Sequence, residues 1–573
     1  MRLEEYWGVG PKTSALLREA LGTERAVEAI ESADLRTLAD AGLGRGRATR
    51  ILRRATGTGG MDLLATGDAR SVYRDLLARA SEHALTERAA DRIRVLTPLT
   101  AREQMTERLD RIEAAREAWT GLDEATRDAV REAYEGYDSR GGERAAVETA
   151  RALAATDAEV GVFEPVAALD ADALGAAADA LGALDGDVRG ADEELDALTA
   201  QYEAAERLAA DASEVLSAVQ SGARTTAEFE EAFVDYLDRE TGVPLSAVRE
   251  AMADDAVDAE AFVRETLRSL AADRRQAMEA REAAVREDLS AAVETHRETI
   301  EAAVRAVDDA AFYLSLARFA EAFDATRPTL VDRRAVAVRG ARNLALAAEG
   351  SVQPVDYAVG PHGLDLPTER VSVLTGANSG GKTTLLETVC AVVVLSHMGL
   401  PVPAEEAVVG TVDSVVFHRR HASFNAGVLE STLRTVVPPL ASEGRTLMLV
   451  DEFEAITEPG SAADLLHGLV TLTVDRVAMG TFVTHLAEDL EPLPDDARVD
   501  GIFAEGLTPD LELAVDYQPR FHELGRSTPE FIVSRLVADA RDRAERAGFQ
   551  TLAEAVGQEA VQRTLSDARW SPD

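Results

Sequence analysis

From about residue 61 to 335, apolar residues recur at three- and four-residue spacing with few β-branched runs, and the stretch is rich in Ala, Glu, Arg and Leu. That period predicts helix throughout. Two segments are long enough for extended antiparallel, coiled-coil arms. One is roughly Ala191 to Val219; the other runs from Ala259 to about Ala325 with neither proline nor interior glycine. Gly222 and Gly242-Val243-Pro244 interrupt the region, so the segment between them caps or connects the arms. Charge-laced faces of this kind are solvated and by themselves say nothing about a ligand.

From about 336 to 540 the period changes. Short β-rich runs alternate with helical stretches: Val371-Ser372-Val373-Leu374, Val412 to Phe417, Thr446 to Val450, Gly480 to Val483, Gly501-Ile502-Phe503 and Leu511 to Val515. Such alternation predicts an α/β unit with a mainly parallel sheet. Pro529 to Leu565 reads as helix again, and 541–573 as a helical tail.

Residues 1–60 carry two similar hairpin signals. The first is Trp7-Gly8-Val9-Gly10-Pro11-Lys12; the second is Gly42-Leu43-Gly44-Arg45-Gly46-Arg47. Each has Gly-apolar-Gly, then a cation, then an amphipathic helix. The glycines permit a tight turn that bares backbone N–H groups at a helix N-terminus. The bland alternative is a pair of ordinary glycine-capped corners. The tandem resembles the helix-hairpin-helix module, which grips DNA phosphates without reading sequence. The resemblance implies DNA contacts at Gly8, Gly10, Lys12, Gly44, Arg45 and Arg47. Gly57-Thr58-Gly59-Gly60 reads as a linker.

The strongest chemical signal follows the strand Val371 to Leu374. Gly376-Ala377-Asn378-Ser379-Gly380-Gly381-Lys382-Thr383 is G-x-x-x-x-G-K-[ST], and a helix opens at Thr384. Backbone N–H groups of Gly376, Ala377, Asn378, Ser379, Gly380, Gly381 and Thr384 are expected to curl around ATP phosphates. Lys382 would place a compact charge by the β- and γ-phosphates, and Thr383 a hydroxyl on Mg²⁺. Some seventy residues on, the apolar run Thr446 to Val450 delivers Asp451-Glu452. Asp451 is expected to hold hydrated Mg²⁺, and Glu452 to orient and deprotonate water. Gly480 to Val483 ends at Thr484-His485, where a neutral imidazole would sense the γ-phosphate or water, or else serve only the packing.

Charge and composition sharpen this picture. The 573 residues include 103 Asp and Glu against 60 Lys and Arg, a net charge of -43. Lys12 and Lys382 are the only lysines, leaving 58 arginines. An acidic, lysine-poor surface suits a halophilic protein in molar salt, although high-GC codon use explains arginine equally well. Any DNA-binding face must then be a local basic patch. One cysteine, Cys390, excludes a disulfide framework. The start of the chain lacks a signal-peptide h-region, and Val389 to Leu400, the longest apolar stretch, is too short for a bilayer. The expectation is a cytoplasmic protein with no membrane contact.

GANSGGKTT, LMLVDE and TFVTH occur in the order and approximate spacing of the MutS ATPases of the ABC superfamily. Ser423-Phe424-Asn425 with Leu429-Glu430 looks like that family's segment before the acidic strand. Val338 to Asn343 and Pro354 to Tyr357 look like its lead-in to the phosphate loop. Ala311 to Phe319 with Arg327-Pro328 resembles its lever helix. The resemblance implies a multidomain α and α/β protein: helix-hairpin-helix over 1–60, helical lever and clamp over 61–335, and a P-loop ABC-type ATPase over 336–540. It further implies a homodimer whose arms hold branched or structured DNA, in repair or recombination. Two departures stand out. The expected chain has no room for mismatch-sensing domains and no recognisable terminal nuclease. Phe453-Glu454-Ala455-Ile456-Thr457-Glu458-Pro459-Gly460-Ser461 replaces the usual Gly-rich stretch after Asp451-Glu452. A structural, SMC-like DNA-holding ATPase and a scaffold without DNA contact remain as alternatives.

Overall fold

The computed structural model describes the chain except residues 1–2, 7, 32, 56–58, 157, 159, 186–187, 189, 191, 221–223, 254–255, 351, 378–379, 421–425, 457–458, 509–512, 526–528, 541, 559–560, 563 and 565–573; side chains of 5, 140, 185, 426–428, 455–456, 459–460, 513 and 529–530 are likewise not described. The expectations placed on Trp7, Gly57-Thr58, Ala191, Gly222, Asn378, Ser379, Ser423-Phe424-Asn425, Thr457-Glu458 and Leu511 lie outside the described residues. The chain is mostly helical with two β-sheets. It forms two compact units, residues 1–123 with 160–162 and 308–573, and residues 124–159 with 163–307.

In the first unit, four helices open the chain: α1 (Pro11–Leu21), α2 (Thr23–Glu31), α3 (Leu35–Asp40) and α4 (Arg45–Ala55). Leu17, Ile30, Leu38, Ile51 and Leu52 close a small core that also takes in Val95. The next helix, α5 (Gly67–Glu82), starts at Thr66, whose hydroxyl caps Ala69 N–H. The same hydroxyl donates to Phe417 O at 2.6 Å and accepts from Phe417 N–H at 3.1 Å. The apolar stripe of α5, formed by Val72, Tyr73, Leu76 and Leu77, joins the core around the helix Lys382–His397. The helical stretch expected over 61–335 is therefore divided. Its beginning and its end pack into the first unit, because α5 buries its apolar stripe there rather than against the arms.

The strands are β1 (Thr329–Val331), β2 (Val336–Ala341), β3 (Val355–Val359), β4 (Val371–Gly376), β5 (Glu406–Gly410), β6 (Ser414–His418), β7 (Thr446–Asp451), β8 (Met479–Val483), β9 (Ala497–Leu507) and β10 (Leu513–Phe521). Six form one sheet in the order β10-β9-β4-β8-β7-β6, parallel except for β10. Strands β4, β7 and β8 are buried along their whole length, which explains their unbroken apolar runs. The other four strands make a second sheet, β1-β5-β2-β3, whose existence the hydrophobic pattern did not announce. Its first strand lies inside the stretch expected to be helical.

The second unit is helical. Helices Glu193–Ala210 and Ala259–Thr295 run antiparallel: Leu195 shares a cluster with Val285, whereas Ala205 clusters with Val263 and Leu270. Asp192, which caps the first helix, also takes two hydrogen bonds from Arg281 at 2.9 and 2.6 Å. Both arms are shorter than expected. The first breaks at Asp211, since a short acid side chain favours caps over helix interiors. The second ends at Thr295 and resumes at Arg297; the Thr295 hydroxyl donates to Ala291 O, a back-bond that bends a helix.

Candidate nucleotide site at one sheet edge

Because β4, β6, β7 and β8 are parallel, their C-terminal ends meet at one edge, the edge where open α/β sheets receive ligands. Each expected group leaves from one of these ends. After β4 the chain turns through Gly376 (φ 128°), where a side-chain carbon would strike Ile502 O at 2.0 Å. At Gly380 such a carbon would meet Ala377 O at 2.8 Å, so the loop is tight enough to need glycine. Gly381 precedes the helix Lys382–His397, whose first N–H groups have no intrahelical partner. The Lys382 ammonium reaches back to Gly376 O at 2.9 Å and Ala377 O at 2.8 Å. Burial lowers its pKa, against the opposing pull of Glu452, Asp451 and Glu454.

Thr383 Oγ1 donates to Asp451 Oδ2 at 2.6 Å, joining the loop to the end of β7. Burial raises the Asp451 carboxyl, and the Thr383 bond partly offsets this. Among the described residues no cluster of three His, Cys, Asp or Glu could hold a metal. The pair Thr383 and Asp451 does fit hydrated Mg²⁺, which takes few protein ligands and completes its shell with phosphate oxygens and water. Bound there, Mg²⁺ would neutralise phosphate charge.

Glu452 lies in the left-handed region (φ 45°), a costly conformation for a residue with a side chain, and its N–H donates to Val483 O. Its Oε1 lies 3.1 Å from His485 Nε2, and its Oε2 lies 2.6 Å from Arg420 Nη1. The His485 bond, ahead of Arg420 and Lys382, holds the carboxyl below its ordinary range against desolvation. Glu454 Oε1 accepts from Thr484 Oγ1 at 2.9 Å and from His485 N–H at 2.7 Å. The segment that replaces the Gly-rich stretch thus ties the end of β8 to the acid pair, and Phe453 anchors it in the core.

Lys382, Thr383, Asp451, Glu452 and His485 are therefore brought together, with Ala377, Gly380 and Thr384 around them. Sequence reasoning missed Arg419, Arg420 and Glu454. A cation pair directly after an apolar strand was the available signal, hidden in a chain with 58 arginines. A cavity of ≈ 1040 Å³ opens over the loop, lined among others by Asn343, Gln353, Thr384, Arg420 and Tyr517.

The hairpin residues form a separate group. Gly8 (φ 80°) and Gly42 (φ 90°) start turns in which Val9 and Leu43 point into the core, and Gly10 caps α1. The two turns pack reciprocally: a carbon on Gly8 would lie 3.2 Å from Ile51 of α4, and one on Gly42 3.7 Å from Leu16 of α1. Lys12, Gly44, Arg45 and Arg47 are exposed at the two helix starts.

Residues 372–458 match the family model described as MutS domain V. DNA-binding protein MutS2 of Pyrococcus furiosus is 46% identical over 193 residues, 33% of this chain and 34% of that protein. Endonuclease MutS2 of Solidesulfovibrio magneticus is 32% identical over 214 residues, 36% of this chain and 26% of that protein. DNA mismatch repair protein MutS of Granulibacter bethesdensis is 30% identical over 203 residues, 34% and 22% respectively. The chain thus spans about a third or less of the length of these curated relatives. The part of the chain that carries the Gly376–Thr384 loop, Asp451 and Glu452 is similar to domain V of MutS proteins, and these matches support the MutS family for it.

Proposed function

We propose that this protein is a DNA-binding ATPase of the MutS family, acting without mismatch recognition, that couples ATP hydrolysis to holding branched or structured DNA. The observation that carries the ATPase reading is the meeting of Lys382, Thr383, Asp451 and Glu452 at one edge of a parallel sheet. In this reading the loop amides and Lys382 bind the phosphates, Thr383 and Asp451 hold Mg²⁺, and Glu452 takes a proton from the attacking water. The names of two relatives, DNA-binding protein MutS2 and DNA mismatch repair protein MutS, support DNA as partner.

Charge supports it independently. Between Asp40 and Asp62 the chain has no acid and five arginines, within a molecule of net charge -43. Arg45, Arg47, Arg50 and Arg54 of α4 are exposed, beside the turn amides of Gly42 to Gly44. Such a patch suits phosphate contacts, which fix position without reading bases. A homodimer, with the helical unit as clamp, follows from the family resemblance.

One experiment tests both halves at stated salt: nucleotide binding and ATPase rate, with and without a four-way junction or linear duplex. Lys382→Ala should abolish ATP binding, and retained affinity overturns the phosphate assignment. Lys12→Gln, Arg45→Gln and Arg47→Gln combined should weaken DNA binding and lower its salt slope by about one unit per lost phosphate contact, leaving DNA-free hydrolysis intact. Unchanged DNA affinity would make the hairpins structural corners.

A further inference from the structure

Glu452 is the proposed base, yet both of its oxygens are engaged. His485 Nε2 holds Oε1 at 3.1 Å and Arg420 Nη1 holds Oε2 at 2.6 Å. Each oxygen keeps a further lone-pair site, but charged or polar donors on both lower the carboxylate's basicity, so Glu452 takes a proton best once one donor leaves. The surroundings show which one can. His485 is held from behind, because its N–H and the neighbouring Thr484 hydroxyl both bind Glu454 Oε1. Arg419 is also fastened: its N–H donates to Asp68 Oδ2 at 2.9 Å, and its guanidinium pairs with Glu387 at 2.8 Å. The Arg420 side chain is 60% exposed, against 31% for that of Arg419, and it lines the same cavity as Lys382 and Thr383.

We propose that Arg420 is a catalytic residue that exchanges partners: it covers Glu452 Oε2 until ATP enters, then moves onto the γ-phosphate and releases that oxygen as the base. The inference rests on the ATPase reading above. A γ-phosphate carries more negative charge than one carboxylate and offers a guanidinium several acceptors, so it competes for Arg420. ADP has no γ-phosphate and leaves the pair closed. In the hydrolytic step the water oxygen bonds to the γ-phosphorus as the bond from that phosphorus to the β,γ-bridging oxygen breaks, its electron pair leaving with ADP. The water proton passes to Glu452 Oε2. Arg420 neutralises charge on the transferring group, the role that makes an arginine worth about 10³-fold or more in phosphoryl-transfer enzymes. The arrangement makes the base available only when its substrate is complete.

The test compares wild type, Arg420→Ala, Arg420→Lys, Glu452→Gln and the Arg420→Ala/Glu452→Gln double variant. Folding is checked by circular dichroism, and fluorescent ATP and ADP analogues and turnover are measured on each. Arg420→Ala should lower kcat by about 10²-fold or more while leaving ADP affinity within about twofold. Glu452→Gln, which frees Arg420, should bind ATP more tightly than wild type; adding Arg420→Ala to it should weaken ATP about tenfold and ADP hardly at all. Arg420→Lys should recover part of kcat, since an ammonium can reach phosphate but lacks the guanidinium's fork. If Arg420→Ala turns over at the wild-type rate or faster, Arg420 is at most a tether and the proposal fails. Equal loss of ATP and ADP affinity also defeats it, by making Arg420 a general phosphate anchor. Wild type that neither binds nor hydrolyses ATP removes the ATPase reading itself, a distinct result.

Discussion

At Lys382 a compact ammonium donates to two carbonyls of its own loop, Gly376 O and Ala377 O, a geometry that suits a point charge better than a planar guanidinium fork. That is a physical reason for a lysine here in a chain with 58 arginines and one other lysine, Lys12. The helix that Lys382 opens also holds Cys390, fully buried among Leu386, Val393 and Val394. Burial pushes its thiol up to about 12, so it stays protonated from pH 6 to 9. A thiol reagent at pH 8 should therefore leave the native protein unmodified and label one cysteine per chain in denaturant; fast native labelling would mean that this helix opens. Lys382, Thr383, Asp451 and Glu452 were legible because strict spacing encodes their chemistry. Arg420 was not, because its partner Glu452 lies 32 residues away in sequence and only strand order joins them.

Among the elements, the parallel strands β4, β7 and β8 declared themselves as continuous apolar runs between turn residues. The four-stranded sheet did not. Its strands have three to six residues each, and two of them sit in segments already read for other reasons. What joins the two sheets was equally hidden. Arg498 of β9 donates to both oxygens of Asp500 at 3.0 and 2.9 Å and to Ala358 O of β3 at 2.6 Å, while Ser372 of β4 donates to Asp500 at 2.6 Å. Side chains of both Arg498 and Asp500 are essentially without solvent contact. Arg498→Ala strands a buried carboxylate and should cost about 3–5 kcal/mol of stability, read from the urea midpoint. Adding Asp500→Asn should return part of that. A loss below about 1 kcal/mol for the single variant would mean the pair is hydrated in solution.

For the whole molecule, -43 net charges oppose compaction, and salt shortens their reach from about 10 Å at 0.1 M to about 3 Å at 1 M. Raising KCl from about 0.1 to about 2 M should therefore raise the apparent Tm by more than ~5 °C; a flat or falling Tm would show that local pairing already offsets the repulsion. No helix among the described residues is long and apolar enough to cross a membrane. The stitching of α5 to β6 has a further consequence. Thr66 grips Phe417 and Asp68 holds the backbone of Arg419, immediately beside Arg420. Residues 66–68 thus hold the end of β6, from which Arg419 and Arg420 enter the cavity wall. Should cargo at the amino-terminal helices disturb this joint, thermodynamic reciprocity requires the two affinities to move together: whatever factor a duplex imposes on triphosphate binding, triphosphate imposes on the duplex.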